Sequence, residues 1–284
     1  MKKCILFLCL STLAVAQNIS NLSDAVRYYH GTKVGEYLKS GSSPHTIVDD
    51  EPAICYAARA NGVNAQGVFD LLLEFGADPK SIGKDGNSLL SIAMSRFNSE
   101  QAIKLIKRGA DLNYKNKGTI PPPLLMAVTG KYNWPKSSSF PDLIRFMIDN
   151  KADVNIQGSS GTTALTLAVY GRDLDLVKYF IEYNANPNLT DDQGETPLMK
   201  ASGMGYFQIV DLLLKSGANP NIIPKDKETA LMRAAKGGYK DVVLILLEHG
   251  AKTNLKNTWK ETALDLAKQN GHKDIEEVLR KSKK

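Results

Sequence analysis

GETPLMKASGMGYFQIVDLLLKSGANPN, residues 194–221, encodes two short helices together with the signals that start and stop them. Thr196 is a predicted N-cap, offering an oxygen to free N–H groups of the first turn. Pro197 then takes the first helical position, where its missing N–H is no loss. Leu198 and Ala201 share one face, and the small alanine lets a neighbouring helix approach closely. Gly203 and Gly205 interrupt this helix before a second begins at about Phe207. That second segment, FQIVDLLLK, is apolar on most sides, as suits a helix buried between neighbours. Gly217 falls where a left-handed C-terminal cap is wanted, and Asn219, Pro220 and Asn221 form the exit turn.

The same beat runs through the second half of the chain. Ala168, Ala201, Ala234 and Ala267 recur every 33 residues, as do Thr163, Thr196, Thr229 and Thr262. Asn184, Gly217 and Gly250 keep step at the end of the second helix, and Asn188, Asn221 and Asn254 in the turn. A period of 33 residues with T-[PA]-L-x-x-A resembles the ankyrin repeat. The resemblance covers nearly all of residues 18–284 and implies an all-α ankyrin-repeat solenoid of helix–turn–helix units with hairpin fingers. Phasing the rest against residues 194–221 gives eight units, including caps, at approximately 18–49, 50–82, 83–116, 117–157, 158–190, 191–223, 224–256 and 257–284.

Ahead of the array, Met1 to Ala16 reads as a secretory signal peptide: Lys2 and Lys3 charged, Cys4 to Leu13 apolar, and Ala14-Val15-Ala16 as the small-x-small cleavage pattern. The new N-terminus would be Gln17, the domain would occupy residues 17–284, and the protein would be exported, periplasmic or secreted. The apolar run is far shorter than the ~20 residues of a spanning helix. The paired-lysine start leans toward a bacterial signal. Cleavage lowers the formal charge from +6 to +4 and leaves Cys55 as the one cysteine, a core thiol in phase with Met199 and Met232. Much of the remaining positive charge lies at Arg280, Lys281, Lys283 and Lys284, a solvated end rather than a basic face for nucleic acid.

Several units depart from the pattern. Residues 18–44 form a weak first unit whose Arg27, Lys33, Glu36 and Lys39 suit a water-facing cap. The second unit carries three extra residues within Ala60 to Gln66, placed at the turn between its helices. In the fourth, Pro122 replaces the capping threonine and Lys151 replaces the capping glycine, in a left-handed position that non-glycine residues disfavour. It also holds eight extra residues, roughly Tyr132 to Ser139, with Tyr132, Trp134 and Pro135. Such a unit is a contact site or a soft joint.

No catalytic constellation is legible. Of four histidines, His30 and His272 share one phase and are expected to fasten the turn between helices; none has helical ligand spacing with another. The nucleophile-elbow, zinc-protease and phosphate-loop motifs are absent from the sequence. Asp191-Asp192 and the recurring Asn113, Asn155, Asn188, Asn221 and Asn254 fall in finger and turn positions and are read as structural. No cofactor and no metal site are expected, and no enzyme activity.

What the resemblance implies instead is a surface, on the fingers and inner helix faces, that binds another protein through residues the repeat does not fix. The free finger positions are Ser159, Ser160, Asp192, Gln193, Lys225, Asp226, Thr258 and Trp259; those on the inner helix face are Arg59, Arg96, Tyr170, Met204, Lys236 and Gln269. Trp259 stands out, because tryptophan is enriched at interface hot spots; the plainer expectation is that it packs on the adjacent finger around Ile223 and Pro224. Tyr132 and Trp134 form a second candidate. The reading is an exported, monomeric, non-catalytic protein-binding module that masks or assists a toxin-like, exported or host protein. A site assembled across repeats, or a purely structural exported protein, are the alternatives.

Overall fold

The computed structural model describes residues 19–96, 98–116, 120–133 and 140–282. The expected signal peptide and Trp134 lie outside them. Among the described residues there are sixteen helices and one two-stranded hairpin. The chain divides into two compact units, residues 1–150 and 151–284.

In the first unit the helices pair as α1 (Leu22–Arg27) with α2 (Gly31–Lys39), α3 (Ala53–Arg59) with α4 (Val63–Glu74), α5 (Leu89–Ser95) with α6 (Ser99–Lys107), and α7 (Pro123–Asn133) with α8 (Phe140–Asp149). In the second they are α9 (Ala164–Tyr170) with α10 (Leu174–Glu182), α11 (Pro197–Gly203) with α12 (Phe207–Lys215), α13 (Ala230–Gly237) with α14 (Lys240–Glu248), and α15 (Ala263–Gln269) with α16 (Lys273–Lys281). Within each unit first helices pack on first helices, and second helices largely on second helices. The alanines of the beat make this close layer possible: Ala168, Ala201, Ala234 and Ala267 are all fully buried. Behind them Val177 and Phe180, Val210 and Leu213, Val243 and Leu246, and Ile275 and Leu279 fill the space between layers. Each such side chain stabilises the fold by about 2 kcal/mol on burial.

The helix starts follow the sequence. The hydroxyls of Thr163, Thr196, Thr229 and Thr262 each accept the backbone N–H three residues on, at 3.2–3.4 Å. Thr262 adds the reciprocal half, its own N–H donating to Asp265 Oδ2 at 2.9 Å, a full capping box. After the second helix of every pair but the last a left-handed residue recurs: Gly217 has φ of 87°, and the same conformation is imposed on Lys151 at 73° and Asn184 at 63°. A lysine there is strained by about 1 kcal/mol.

Two local expectations are corrected. The three extra residues of the second unit do not enlarge its turn; they lengthen α4 to 12 residues, starting after Gly62. No proline breaks Val63–Gln66, and the Gln66 N–H donates to the Gly62 carbonyl at 3.1 Å, so continuing the helix satisfies groups a loop would leave to water. Likewise α7 runs on through Tyr132 to Asn133, so the start of the fourth-unit insertion is helical; residues 134–139 lie outside the described structure. The one hairpin, Ile47–Val48 against Glu51–Pro52, turns through Asp49 and Asp50, both at positive φ as a two-residue hairpin turn requires.

The turn asparagines do more than form their own turns. Asn188 donates from Nδ2 to the Gly217 carbonyl at 3.0 Å and accepts the Asn219 N–H at 2.7 Å, bracketing the turn of the next repeat. Asn155 does the same to Asn184 and Asn186, and Asn221 to Gly250 and Lys252. Asn254 is exposed and brackets nothing among the described residues. A second ladder joins the helix–helix turns. The Tyr239 ring lies on Gly205, where a Cβ would come within 2.4 Å of it, and the His272 ring lies on Gly238 with Nε2 3.1 Å from the Lys236 carbonyl. His272 therefore fastens its turn to the preceding repeat.

Candidate functional site

The finger tips of residues 151–282 share one local construction. In each, an N–H closes a tight turn three residues back: Gly161 to Gly158, Gly194 to Asp191, Lys227 to Pro224 and Lys260 to Asn257, at 2.8–3.0 Å. The closing residue is left-handed in all four, with φ of 74°, 77°, 59° and 65°. This is the turn-plus-bulge geometry that favours glycine at that position. Side chains reinforce it: Asp191 Oδ1 accepts the N–H of Gln193 and Glu195, and Asn257 Oδ1 those of Trp259 and Glu261. Asp191 is thus a turn former, as read from its phase. Neighbouring tips are laced by backbone bonds, Asp192 N–H to Ser160 at 3.0 Å and Lys225 N–H to Gln193 at 2.9 Å.

Behind the tips lies a chain of ion pairs. Lys200 on α11 pairs with Glu195 and with Asp191 at 3.2 Å; Arg233 on α13 pairs with the same Glu195 and with Asp226 at 2.9 Å. Lys200 also faces the Tyr170 ring at 5.6 Å. Lys200, Glu195, Arg233 and Asp191 keep only 12–16% of their side-chain surface, so each charge depends on its partner for the solvation it has lost. Next to this chain, Glu228 holds Lys236 at 3.1 Å and Glu261 holds Gln269 at 2.5 Å. In the first unit the same pair of positions is filled by Glu51 and Arg59, at 3.0 Å.

Lys236, Gln269 and Arg59 are therefore each engaged by a glutamate, and Asp226 by Arg233. The glutamate before the capping threonine, repeated at 195, 228 and 261, is the sequence signal for this. It repeats in phase, and its partner at 236 or 269 lies eight residues further on. Lys200 and Arg233 were missed because their partners lie in fingers, one of them 38 residues away.

Of the other candidates, Asp192, Gln193, Lys225 and Thr258 are exposed on finger tips. Trp259 is 69% exposed, so most of its ring faces solvent rather than the adjacent finger, where Ile223 is itself 55% exposed. Tyr170 and Met204 are exposed at the C-terminal ends of α9 and α11. Tyr132 closes α7 with the Lys131 ammonium 5.9 Å from its ring. A groove of about 350 Å³ between Arg172, Tyr206 and Phe207 lies at the helix–helix turns, remote from the fingers.

Chemistry of another kind has little to use. Among the described residues no group of three or more His, Cys, Asp or Glu is arranged to hold a metal, and no helix is long and apolar enough to cross a membrane. Cys55 is buried, and burial pushes its thiol up to about 12.

Two family models match the sequence: ankyrin repeats in three copies over residues 136–224, and ankyrin repeats in many copies over residues 212–267. A comparison with curated proteins gives no match. Ankyrin repeats are modules of protein–protein interaction and are generally non-catalytic. Together the matches place ankyrin repeats over residues 136–267, and the fold is all-α and of the ankyrin-solenoid class.

Proposed function

We propose that this is an exported, non-catalytic binding module that takes a protein partner on the fingers and first-helix face of residues 151–282. The observation that carries the reading is Trp259, left 69% exposed on a finger tip with no core to join. A large apolar side chain held out by a rigid repeat is the form that binding hot spots take. Export rests on residues 1–16, whose charged start, apolar stretch and Ala14-Val15-Ala16 fit a cleaved signal. The protein would work as a monomer in the periplasm or outside the cell, on a toxin-like, exported or host protein rather than on nucleic acid.

Capture from the native compartment with the wild-type chain and with Trp259→Ala tests this. The wild type should retain one stoichiometric partner, and the variant should hold it at least tenfold more weakly, as loss of a hot spot of about 2 kcal/mol requires. Equal capture by both would remove the finger surface from the reading. Sequencing of the mature protein from Met1 rather than Gln17 would remove export.

A further inference from the structure

The last two fingers differ from the two before them in a way that leaves a basic surface with apolar edges at their tips. In the earlier fingers the left-handed position is Gly161 or Gly194, and the next finger closes directly on it. A Cβ on Gly161 would lie 2.9 Å from the Asp191 backbone, and one on Gly194 would lie 3.2 Å from Pro224 Cα. The following fingers put Lys227 and Lys260 at that position, still left-handed, at 59° and 65°. Lys227 thus carries a Cβ at the position where the earlier closures leave little room for one. Consistent with this, the lacing bond found twice before is not made a third time: among the described residues Thr258 N–H does not reach the Asp226 carbonyl.

The lysines at these tips, Lys225, Lys227, Lys256 and Lys260, are all exposed and make no ion pairs among the described residues. The acids of the same fingers are engaged elsewhere: Asp226 with Arg233, Glu228 with Lys236, and Glu261 with Asn257 and Gln269. Trp259 and Ile223 supply exposed apolar surface among the four ammonium groups. Strained backbone kept at two equivalent positions, each for a lysine where glycine fits better, points to a use for those lysines.

We infer that the exposed tips of the fingers of residues 223–228 and 256–261 bind an acidic, extended segment of a partner protein, its carboxylates meeting the four lysines and an apolar side chain meeting Trp259. The free Thr258 N–H and Asp226 carbonyl offer such a segment backbone partners. This rests on the binding reading above and adds the chemistry of the partner.

The test uses the full chain with Trp134→Phe, so that Trp259 is the one remaining tryptophan and its emission reports the finger tips. A short synthetic peptide of alternating glutamate and leucine should shift that emission to shorter wavelength. Its affinity should fall about tenfold or more between ~0.1 M and ~1 M salt, as the screening length contracts from about 10 Å to 3 Å. Lys227→Gly with Lys260→Gly should weaken binding at least tenfold while leaving the melting temperature unchanged or higher, because glycine suits the left-handed positions. Lys227→Glu with Lys260→Glu should favour a lysine–leucine peptide instead. Emission unmoved by the acidic peptide, or binding undiminished in the glycine variant, would overturn the inference. So would a response to anionic phospholipid vesicles or a single-stranded oligonucleotide in place of the peptide. If the peptide fails while capture still depends on Trp259, only the partner chemistry falls; if capture is indifferent to Trp259, the binding reading falls with it.

Discussion

Replacing Asn188 by alanine removes both ends of a bracket between repeats, the bond to the Gly217 carbonyl at 3.0 Å and the bond from the Asn219 N–H at 2.7 Å. Each is worth about 1 kcal/mol net, and water can reach part of the site, so the loss should be about 1–2 kcal/mol. With a urea dependence of about 2 kcal/mol/M, the unfolding midpoint should fall by roughly 0.5–1 M. The control is built into the chain. Asn254 has the same phase but is exposed and brackets no turn among the described residues. Asn254→Ala should therefore stay within about 0.5 kcal/mol of wild type. Asn188→Asp keeps the acceptor and loses the donor, and should fall between the two. Equilibrium urea unfolding followed by circular dichroism measures all three. If Asn254→Ala costs as much as Asn188→Ala, the intrinsic turn preference of asparagine explains the recurrence and the bracket contributes nothing.

Other outcomes follow from the same packing. Gly205→Ala would press a Cβ to 2.4 Å from the Tyr239 ring at a φ of 70°, and should cost about 2 kcal/mol or more, whereas Gly271→Ala, with nothing within 4 Å, should cost about 1 kcal/mol from backbone strain alone; thermal unfolding ranks them. Arg59→Ala would leave the buried Glu51 carboxylate without its cation and should destabilise the first unit by about 3 kcal/mol, read from its urea transition. The Arg59 hydrogen bond also holds Asp85 down at about 2 against an ordinary 3.8. A depressed carboxylate stabilises the fold above its unfolded value, so this contribution should be lost as pH falls from about 4 to 2, and Asp85→Asn should flatten that part of the stability profile. Cys55, pushed up to about 12 from 9.0 by burial, stabilises the fold below pH 9 and loses that contribution as pH rises toward 12; at neutral pH it should react with thiol reagents only at the rate of opening.

The parts of the fold legible in the sequence were those that short-range chemistry controls. Thr196 caps its helix, Pro197 begins it and Gly217 ends the pair because each acts within a few residues of itself. The extra residues of the second unit were placed wrongly for a related reason. Their number showed in the sequence, but whether three residues widen a turn or lengthen α4 depends on which arrangement satisfies more backbone groups. Of the candidate surface, the tip residues Lys225, Thr258 and Trp259 were identified by phase, since a position the repeat does not use is left to solvent. On the inner face, long-range pairing was not legible. Lys236, Gln269 and Arg59 looked unassigned, yet each is held by a glutamate eight residues earlier.

By itself the sequence determined the repeat, its caps, its core alanines and the positions free to vary, because a period of 33 residues writes the same local physics several times over. Only the tertiary structure decided which free positions are spent within the array and which remain. Lys200, Glu195 and Arg233 neutralise one another across fingers that are adjacent in space, not in sequence. Among the described residues Lys227 and Lys260 have no such partner, and Lys227 brings a Cβ to the position that glycine holds in the two earlier fingers. That difference is a matter of distance between repeats, which no single repeat contains.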